Sequence, residues 1–415
     1  MLGYAVIDCE TTGLNIRGND RIIEIAVVLL DEKLNITGQY ETVLNPERDL
    51  GLVSMHGIDG LIASHGVSFK EIMPSLSKLL HDRVIIGHNV NYDIGMFKAE
   101  YDRENISPIF GTPVDTLTLA KFLPLNVKNY KLETLCRYFH IHLVNSHQAM
   151  ADTLATAQLL ITMLDAYQCN VNCYPADFSA SSMSDDLSGW KKRDDILQKI
   201  AEPADLNNFM LNLSNSVLDL PEKAIDIYLK AMHLALINDR FSSWEKTTIE
   251  EIIFKFGLTK GHVIDLNEEY IFMLICKNLM ENNGKWHKDS ISQKLSVVTS
   301  FTGIKDIRVE ELLRDTLQQS HLIEPTVKKL NSYFSFVAGD SFVVTGEDFK
   351  YDKAYWVDLL SSRGFVSKPS TTKATKLILA GDPYSLSAKA VTARRYGIPV
   401  IAESTMSSML KILNQ

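Results

Sequence analysis

The stretch Val6-Ile7-Asp8-Cys9-Glu10-Thr11-Thr12-Gly13-Leu14 opens as a β-strand and closes as a turn. Side chains alternate along a strand, so Asp8 and Glu10 project from one face while their apolar neighbours anchor the other. Two carboxylates side by side repel each other unless cations bridge them. A solvated edge strand would tolerate the pair. The apolar run Tyr4-Ala5-Val6-Ile7 instead puts this strand inside a sheet, where unpaired carboxylates are costly.

Working outward, Ile22–Leu30 is a second apolar, β-branched run, separated from the first by the Gly13–Asp20 turn region, and the two read as paired strands. Gln39–Leu44 is a third strand, and Val84–Gly87 is a buried strand that runs into a helix beginning near Tyr92. Phe69–Leu80 and Leu154–Leu164 carry the three-and-four spacing of amphipathic helices. Gly87-His88-Asn89 with Asp93 places an acid at the start of one helix, and His147-Gln148-Ala149-Met150-Ala151-Asp152 places a His just before an acid at the start of another. Four acids converging on one point suit a pair of Mg²⁺ or Mn²⁺ ions, which take hard oxygen ligands. Such a pair promotes in-line displacement at phosphorus, with a nearby His of near-neutral pKa to take the proton of the attacking water.

The chain of 415 residues is too long for one ordinary core, and its 46% hydrophobic and 22% charged composition excludes wholesale disorder. Residues 174–190 are rich in Ser, Asp and Pro and read as a linker, followed by the basic triplet Lys191-Lys192-Arg193. From 195 to about 320 the pattern is helical. From 342 to 401 it runs β-α-β-α-β, a small domain around a parallel sheet. Formal charge is −7 over residues 1–165, −5 over 166–335 and +3 over 336–415. This suits clustered acids at the start and contact with phosphate or an acidic partner at the end, or a solvated surface in both places. The scattered cysteines read as thiols, and the Cys169-x3-Cys173 spacing lacks the second pair that a zinc site needs. No run long enough to cross a bilayer and no signal-peptide pattern occurs, so a cytoplasmic protein without membrane contact is expected.

The three ordered motifs, Asp8-x-Glu10-Thr11-Thr12-Gly13, Gly87-His88-Asn89 with Asp93, and His147-x-Ala149-x-x-Asp152, resemble those of the DEDDh 3′–5′ exonucleases, the DnaQ-like family. The resemblance implies an RNase H-like exonuclease domain over residues 1–168. Asp8, Glu10, Asp93 and Asp152 would be the metal ligands and His147 the general base, these five being the catalytic set. It also implies that Thr11 and Leu14 meet the terminal base and sugar, that His56 in Ser54–Ile58 borders their pocket, and that Asn89 faces substrate. His88 reads as a buttress, and Tyr92 stands where relatives often carry Phe.

After a linker over 169–194, residues 195–325 resemble the all-α TerB-like domains. Leu236–Glu245 aligns with Met280–Asp289 as a weak repeat, although Asn238, Asn282 and Asn283 stand where acids are expected. Residues 336–415 resemble a BRCT domain, through Phe342–Gly346, Gly364, and Ser387-x-Lys389 to Gly397-Ile398-Pro399. The family's Trp in the last helix is replaced by the neighbourhood of Met406 and Met409. Thr345, Gly346 and Lys389, with help from Lys353, match a phosphate cradle; ordinary turn and surface roles stand beside that reading.

The fold class expected is therefore multidomain α/β, with exonuclease, helical and BRCT-like parts. The function expected is metal-dependent removal of nucleoside 5′-monophosphates from DNA 3′ ends, single-stranded or frayed, in repair, end processing or defence. The BRCT domain would meet a DNA 5′-phosphate or a protein partner. RNA as the substrate, and a non-catalytic scaffold acting through the BRCT domain, are the alternatives. Oligomeric state stays open.

Overall fold

The computed structural model describes residues 2–143, 146–168, 175, 186–201, 222–239 and 241–412. Cys169, Cys173 and most of the segment read as linker lie outside these. The chain divides into two compact units. One is Met1–Gln198 with Gly346–Asp348 and Tyr384–Val391, and the other is Lys199–Thr345, Phe349–Pro383 and Thr392–Gln415.

The first unit is built on five strands, β1 (Tyr4–Thr11), β2 (Ile22–Leu30), β3 (Ile36–Val43), β4 (Val84–Gly87) and β5 (Val114–Asp115), in the order β3-β2-β1-β4-β5. β1 runs antiparallel to β2 and parallel to β4, so the strand bearing Asp8 and Glu10 is central. All nine residues of β2 are buried, as expected of a strand covered on both faces, whereas β3 is exposed along much of its length.

Helices α1 (Phe69–Leu80), α2 (Asn91–Arg103), α3 (Thr116–Phe122), α4 (Leu132–Tyr138) and α5 (Ala149–Tyr167) surround this sheet. Helix α1 starts on a reciprocal cap between Ser68 and Glu71 and buries Phe69, Ile72, Leu76 and Leu80 against the sheet. Helix α5 presents Ala149, Ala155 and Ala157 among its buried residues, small side chains that let it lie close on β1 and β2.

Two acids, spaced two turns apart on one face of α2, fasten that helix to the sheet. Asp93 accepts the Cys9 amide at 3.1 Å, and Glu100 accepts the Ile22 amide at 3.1 Å while also pairing with Arg21 at 2.7 Å. The segment after the linker also belongs to this unit. Trp190 donates its indole N–H to Ser75 at 2.7 Å, the Lys191 carbonyl accepts the Val43 amide at 2.9 Å, and helix α6 (Arg193–Ala201) follows, in this unit as far as Gln198.

Among the described residues from 222 to 333 of the second unit, every element is a helix: α7 (Glu222–Ala235), α8 (Ser243–Phe256), α9 (Lys260–Glu281), α10 (Ser292–Thr302), α11 (Asp306–Gln318) and α12 (Ile323–Tyr333), with short 3-10 turns between. Gly257 and Gly303 close α8 and α10 in the left-handed region, at φ 59 and 70°, where a residue without Cβ is favoured. The long α9 is the axis of the core, with Tyr270, Ile271, Leu274 and Ile275 buried against Tyr228, Leu229 and Met232 of α7.

The C-terminal strands β6 (Ser341–Thr345), β7 (Val366–Ser367), β8 (Leu377–Ala380) and β9 (Val400–Ile401) form an all-parallel sheet in the order β7-β6-β8-β9. Helices α13 (Lys353–Ser362), α14 (Ala388–Arg395) and α15 (Glu403–Ile412) complete the segment. The two-residue β7 has no counterpart in the sequence reading, because a strand that short carries no alternation. Asn238 does not stand free as a loop ligand. It donates to the Val400 carbonyl at 2.7 Å and accepts from the Ala402 amide at 3.2 Å, pinning the helical layer to the end of β9. No helix among the described residues is long and apolar enough to cross a membrane.

Candidate active site

β1 carries Asp8 and Glu10 up to the point where α2 and α5 begin. Asp93 sits in the first turn of α2 and Asp152 in the first turn of α5, where the helix dipole favours a carboxylate. One Asp93 oxygen accepts both the amide and the thiol of Cys9, at 3.1 and 3.2 Å, which orients its carboxylate beside Asp8. Asp152 accepts the His147 amide at 3.1 Å. His147 is exposed and has φ 69°, a left-handed backbone that is uncommon outside glycine. Ligand atoms of Glu10, His147 and Asp152 lie within 4.8 Å of one another.

The electrostatics follow from crowding. Burial pushes the Asp8 carboxyl well above the usual range, reinforced by Asp93 and Glu10. Burial, then Glu24 and Asp152, raise Glu10 to about 7, with Arg193 opposing. Burial raises Asp93 to about 7 against the two Cys9 hydrogen bonds, and raises Asp152 against the His147 amide. The second oxygen of Asp152, Oδ1, is buried and has no hydrogen-bond partner. Like charges forced together and an orphaned carboxylate oxygen are what a hard cation satisfies, and an all-carboxylate set suits Mg²⁺ or Mn²⁺. Glu10, His147 and Asp152 are thus close enough to share one divalent ion, and Asp8 and Asp93 crowd beside them.

Residues 5–160 match the RNase_T exonuclease family model. The N-terminal part of the chain is an exonuclease domain. The chain is 34% identical over 167 residues to a PolC-type DNA polymerase III of Caldanaerobacter subterraneus, covering 40% of this chain and 12% of the polymerase. It is 33% identical over 164 residues to that of Bacillus subtilis, covering 39% of this chain and 11% of the polymerase. The chain therefore spans only about an eighth or less of these curated relatives. A solved structure of E. coli exonuclease I in complex with a dA16 oligonucleotide is 22% identical, covering 40% of this chain and 41% of that one, with a TM-score of 0.34.

Around the acids, the exonuclease domain arranges the remaining candidates as follows. Leu14 projects into solvent, 84% exposed, from the turn after β1. Thr11 hydrogen-bonds to the hydroxyl of Tyr92 at 2.6 Å, and Tyr92 donates to the Gly13 carbonyl at 2.9 Å, so the Tyr hydroxyl shapes the turn. Asn89 is exposed at φ 69°, its amide held by Asp115 at 2.7 Å. His88 bridges Thr116 and the Tyr130 carbonyl, at 2.9 Å each, as a buttress would.

His56 is buried, with Nε2 donating to the Leu50 carbonyl at 3.2 Å and Nδ1 accepting the Ile58 amide at 3.1 Å; both ring nitrogens serve its own loop. Farther along the chain, Thr345 ends β6, Gly346 has φ 91°, Lys353 opens α13 and Lys389 lies in α14. Thr345 and Lys353 belong to the second unit and Gly346 and Lys389 to segments of the first.

Two residues of the site escaped the sequence. Glu24 faces Glu10 across the β1–β2 pair and is buried, and Arg193 forms a two-pronged ion pair with it at 2.8 and 2.7 Å. A lone acid inside the apolar run Ile22–Leu30 was the available signal for Glu24. Arg193, 169 residues away, had none.

Proposed function

We propose that the protein is a metal-dependent 3′–5′ exonuclease that removes nucleoside 5′-monophosphates from the 3′ ends of DNA. The observation that carries this is the crowding of Asp8 by Glu10, Asp93 and Asp152, with ligand atoms of Glu10, Asp152 and the exposed His147 within 4.8 Å of one another and Oδ1 of Asp152 buried without a partner. Divalent cations held by the four acids would supply the positive charge that draws in the scissile phosphate and stabilises its leaving oxygen. His147, tethered through its amide to Asp152 with its ring exposed, takes the proton of the attacking water. Leu14 and the turn held by Thr11 and Tyr92 receive the terminal nucleotide, and Asn89, whose carbonyl accepts the Tyr92 amide at 3.0 Å, would face it too. Identity to PolC-type DNA polymerases III over 167 and 164 residues supports DNA over RNA.

For residues 336–415 we infer a BRCT-like docking module. The four-stranded parallel sheet with intervening helices supports it. The helical stretch before it is read as a TerB-like spacer. An end-processing role in DNA repair is the setting that joins these parts.

The experiment is cleavage of one 5′-labelled sequence, made as single-stranded DNA and as RNA, with Mg²⁺ or Mn²⁺. A ladder shortening from the 3′ end with mononucleotide products supports the reading. Faster loss of the RNA would move the substrate to RNA, and internal cuts or an intact substrate would overturn the reading.

A further inference from the structure

Arg193 lies beyond the last residue of the matched exonuclease family, in a segment that composition marks as linker, yet it is only 7% exposed. Its guanidinium grips Glu24 with Nε on Oε1 at 2.8 Å and Nη2 on Oε2 at 2.7 Å, and Glu24 is 2% exposed. The same Oε2 accepts the amide of Ala149, the first residue of α5, at 3.0 Å. Glu24 is also the register partner of Glu10. One carboxylate therefore links Arg193, the opening of the helix that presents Asp152, and the strand position opposite Glu10.

The approach to Arg193 is fixed at several points. Trp190 donates to the buried Ser75 and packs edge-on to Tyr40, with ring centres 6.5 Å apart. The Lys191 amide donates to Thr42 at 2.9 Å, its carbonyl accepts the Val43 amide at 2.9 Å, and its ammonium reaches the His65 carbonyl at 2.9 Å. Ile196, one turn into α6, is buried. On its other side, Arg193 Nη1 lies where a Cβ on Gly57 would come within 3.5 Å, against the His56 loop. Burying an Arg is unfavourable unless both ends of the pair are satisfied, and here the fork and the helix amide together satisfy Glu24.

We propose that Trp190–Arg193 is a strap completing the exonuclease site, and that Arg193 is a positioning residue, acting through Glu24 to hold the start of α5 and hence His147 and Asp152. This deepens the exonuclease reading and rests on it. Partners behind a metal site commonly change metal affinity or activity by about 10–100-fold when lost, and Arg193 falls in that class.

The test uses the full chain with Arg193→Met, Arg193→Lys and the double change Glu24→Gln with Arg193→Met. Mn²⁺ affinity is read by calorimetry, and kcat and KM with a DNA 3′ end. The expected result for Arg193→Met is a loss of about tenfold or more in Mn²⁺ affinity and in kcat. KM is little changed and millimolar guanidinium restores part of the loss. Arg193→Lys keeps the charge without the fork and falls between, which also serves if the Met variant does not fold. The double change should lie closer to wild type than the product of the single effects.

Unchanged Mn²⁺ affinity and kcat in folded Arg193→Met would overturn the proposal. So would a loss that guanidinium leaves untouched and that the double change merely compounds. If the wild-type chain cuts nothing, the exonuclease reading falls, while the Mn²⁺ affinities of the variants still decide whether Arg193 positions the acids.

Discussion

Tyr92 and Thr11 share a 2.6 Å hydrogen bond between their hydroxyls, and Tyr92 donates onward to the Gly13 carbonyl at 2.9 Å. The first turn of α2 thereby holds the loop that thrusts Leu14 into solvent. Tyr92→Phe keeps the ring and removes the hydroxyl. The expected cost is about 1 kcal/mol of stability, measured by denaturant unfolding. With a less ordered turn, KM for a DNA 3′ end should rise severalfold while kcat changes little.

The raised carboxyls give the metal-free protein a definite pH dependence. Glu10 and Asp93 move from ordinary values of 4.5 and 3.8 to about 7 in the fold. Between those limits the native state holds protons that the unfolded chain has released, so stability falls as pH rises. Thermal unfolding in chelator should therefore show a lower midpoint at pH 8 than at pH 5. Added Mn²⁺ binds the deprotonated acids and should stabilise more at pH 8, and near pH 7 its binding should release protons to the buffer in calorimetry.

His147 and the acids separate into two classes of variant. His147→Ala leaves all four carboxylates, so Mn²⁺ should stabilise it nearly as well as wild type. Its turnover should drop by about 10²–10⁴-fold, the usual range for a lost general base. Asp8→Asn should lose turnover and Mn²⁺ stabilisation together. An Asp8→Asn protein that Mn²⁺ stabilises like wild type would remove Asp8 from the metal site.

In the second unit, Asn238 makes contacts with the Val400 carbonyl, the Ala402 amide and the Thr405 hydroxyl, at 2.7, 3.2 and 3.3 Å. Asn238→Ala strands partly buried backbone groups and should destabilise this unit by about 1–3 kcal/mol. Calorimetric unfolding of the full chain should show that shift with no change in nuclease turnover.

What could be read from sequence was what is local. Asp8 and Glu10 share a face because strands alternate, and Asp93 and Asp152 stand just ahead of, or at the opening of, segments that read as helices. The contacts that support them are not local. Glu24 looks like one polar residue in a buried strand until Arg193 arrives from 169 residues away, and a Ser-rich approach gives no hint that Arg193 is buried and Trp190 partly so. The contacts of Asn238 become visible only with β9 in place. The two residues of β7 gain strand geometry from pairing with β6, through Ser341 with Val366 and Phe342 with Ser367, rather than from their own pattern.

The most direct measurement is nucleotide release from a 3′-labelled single-stranded DNA by wild type and by folded Asp8→Asn, side by side, in Mn²⁺ and in chelator. The account predicts prompt release of labelled mononucleotide by wild type in Mn²⁺ alone and none above background from the variant. Equal release by Asp8→Asn, or release that persists in chelator, would contradict it.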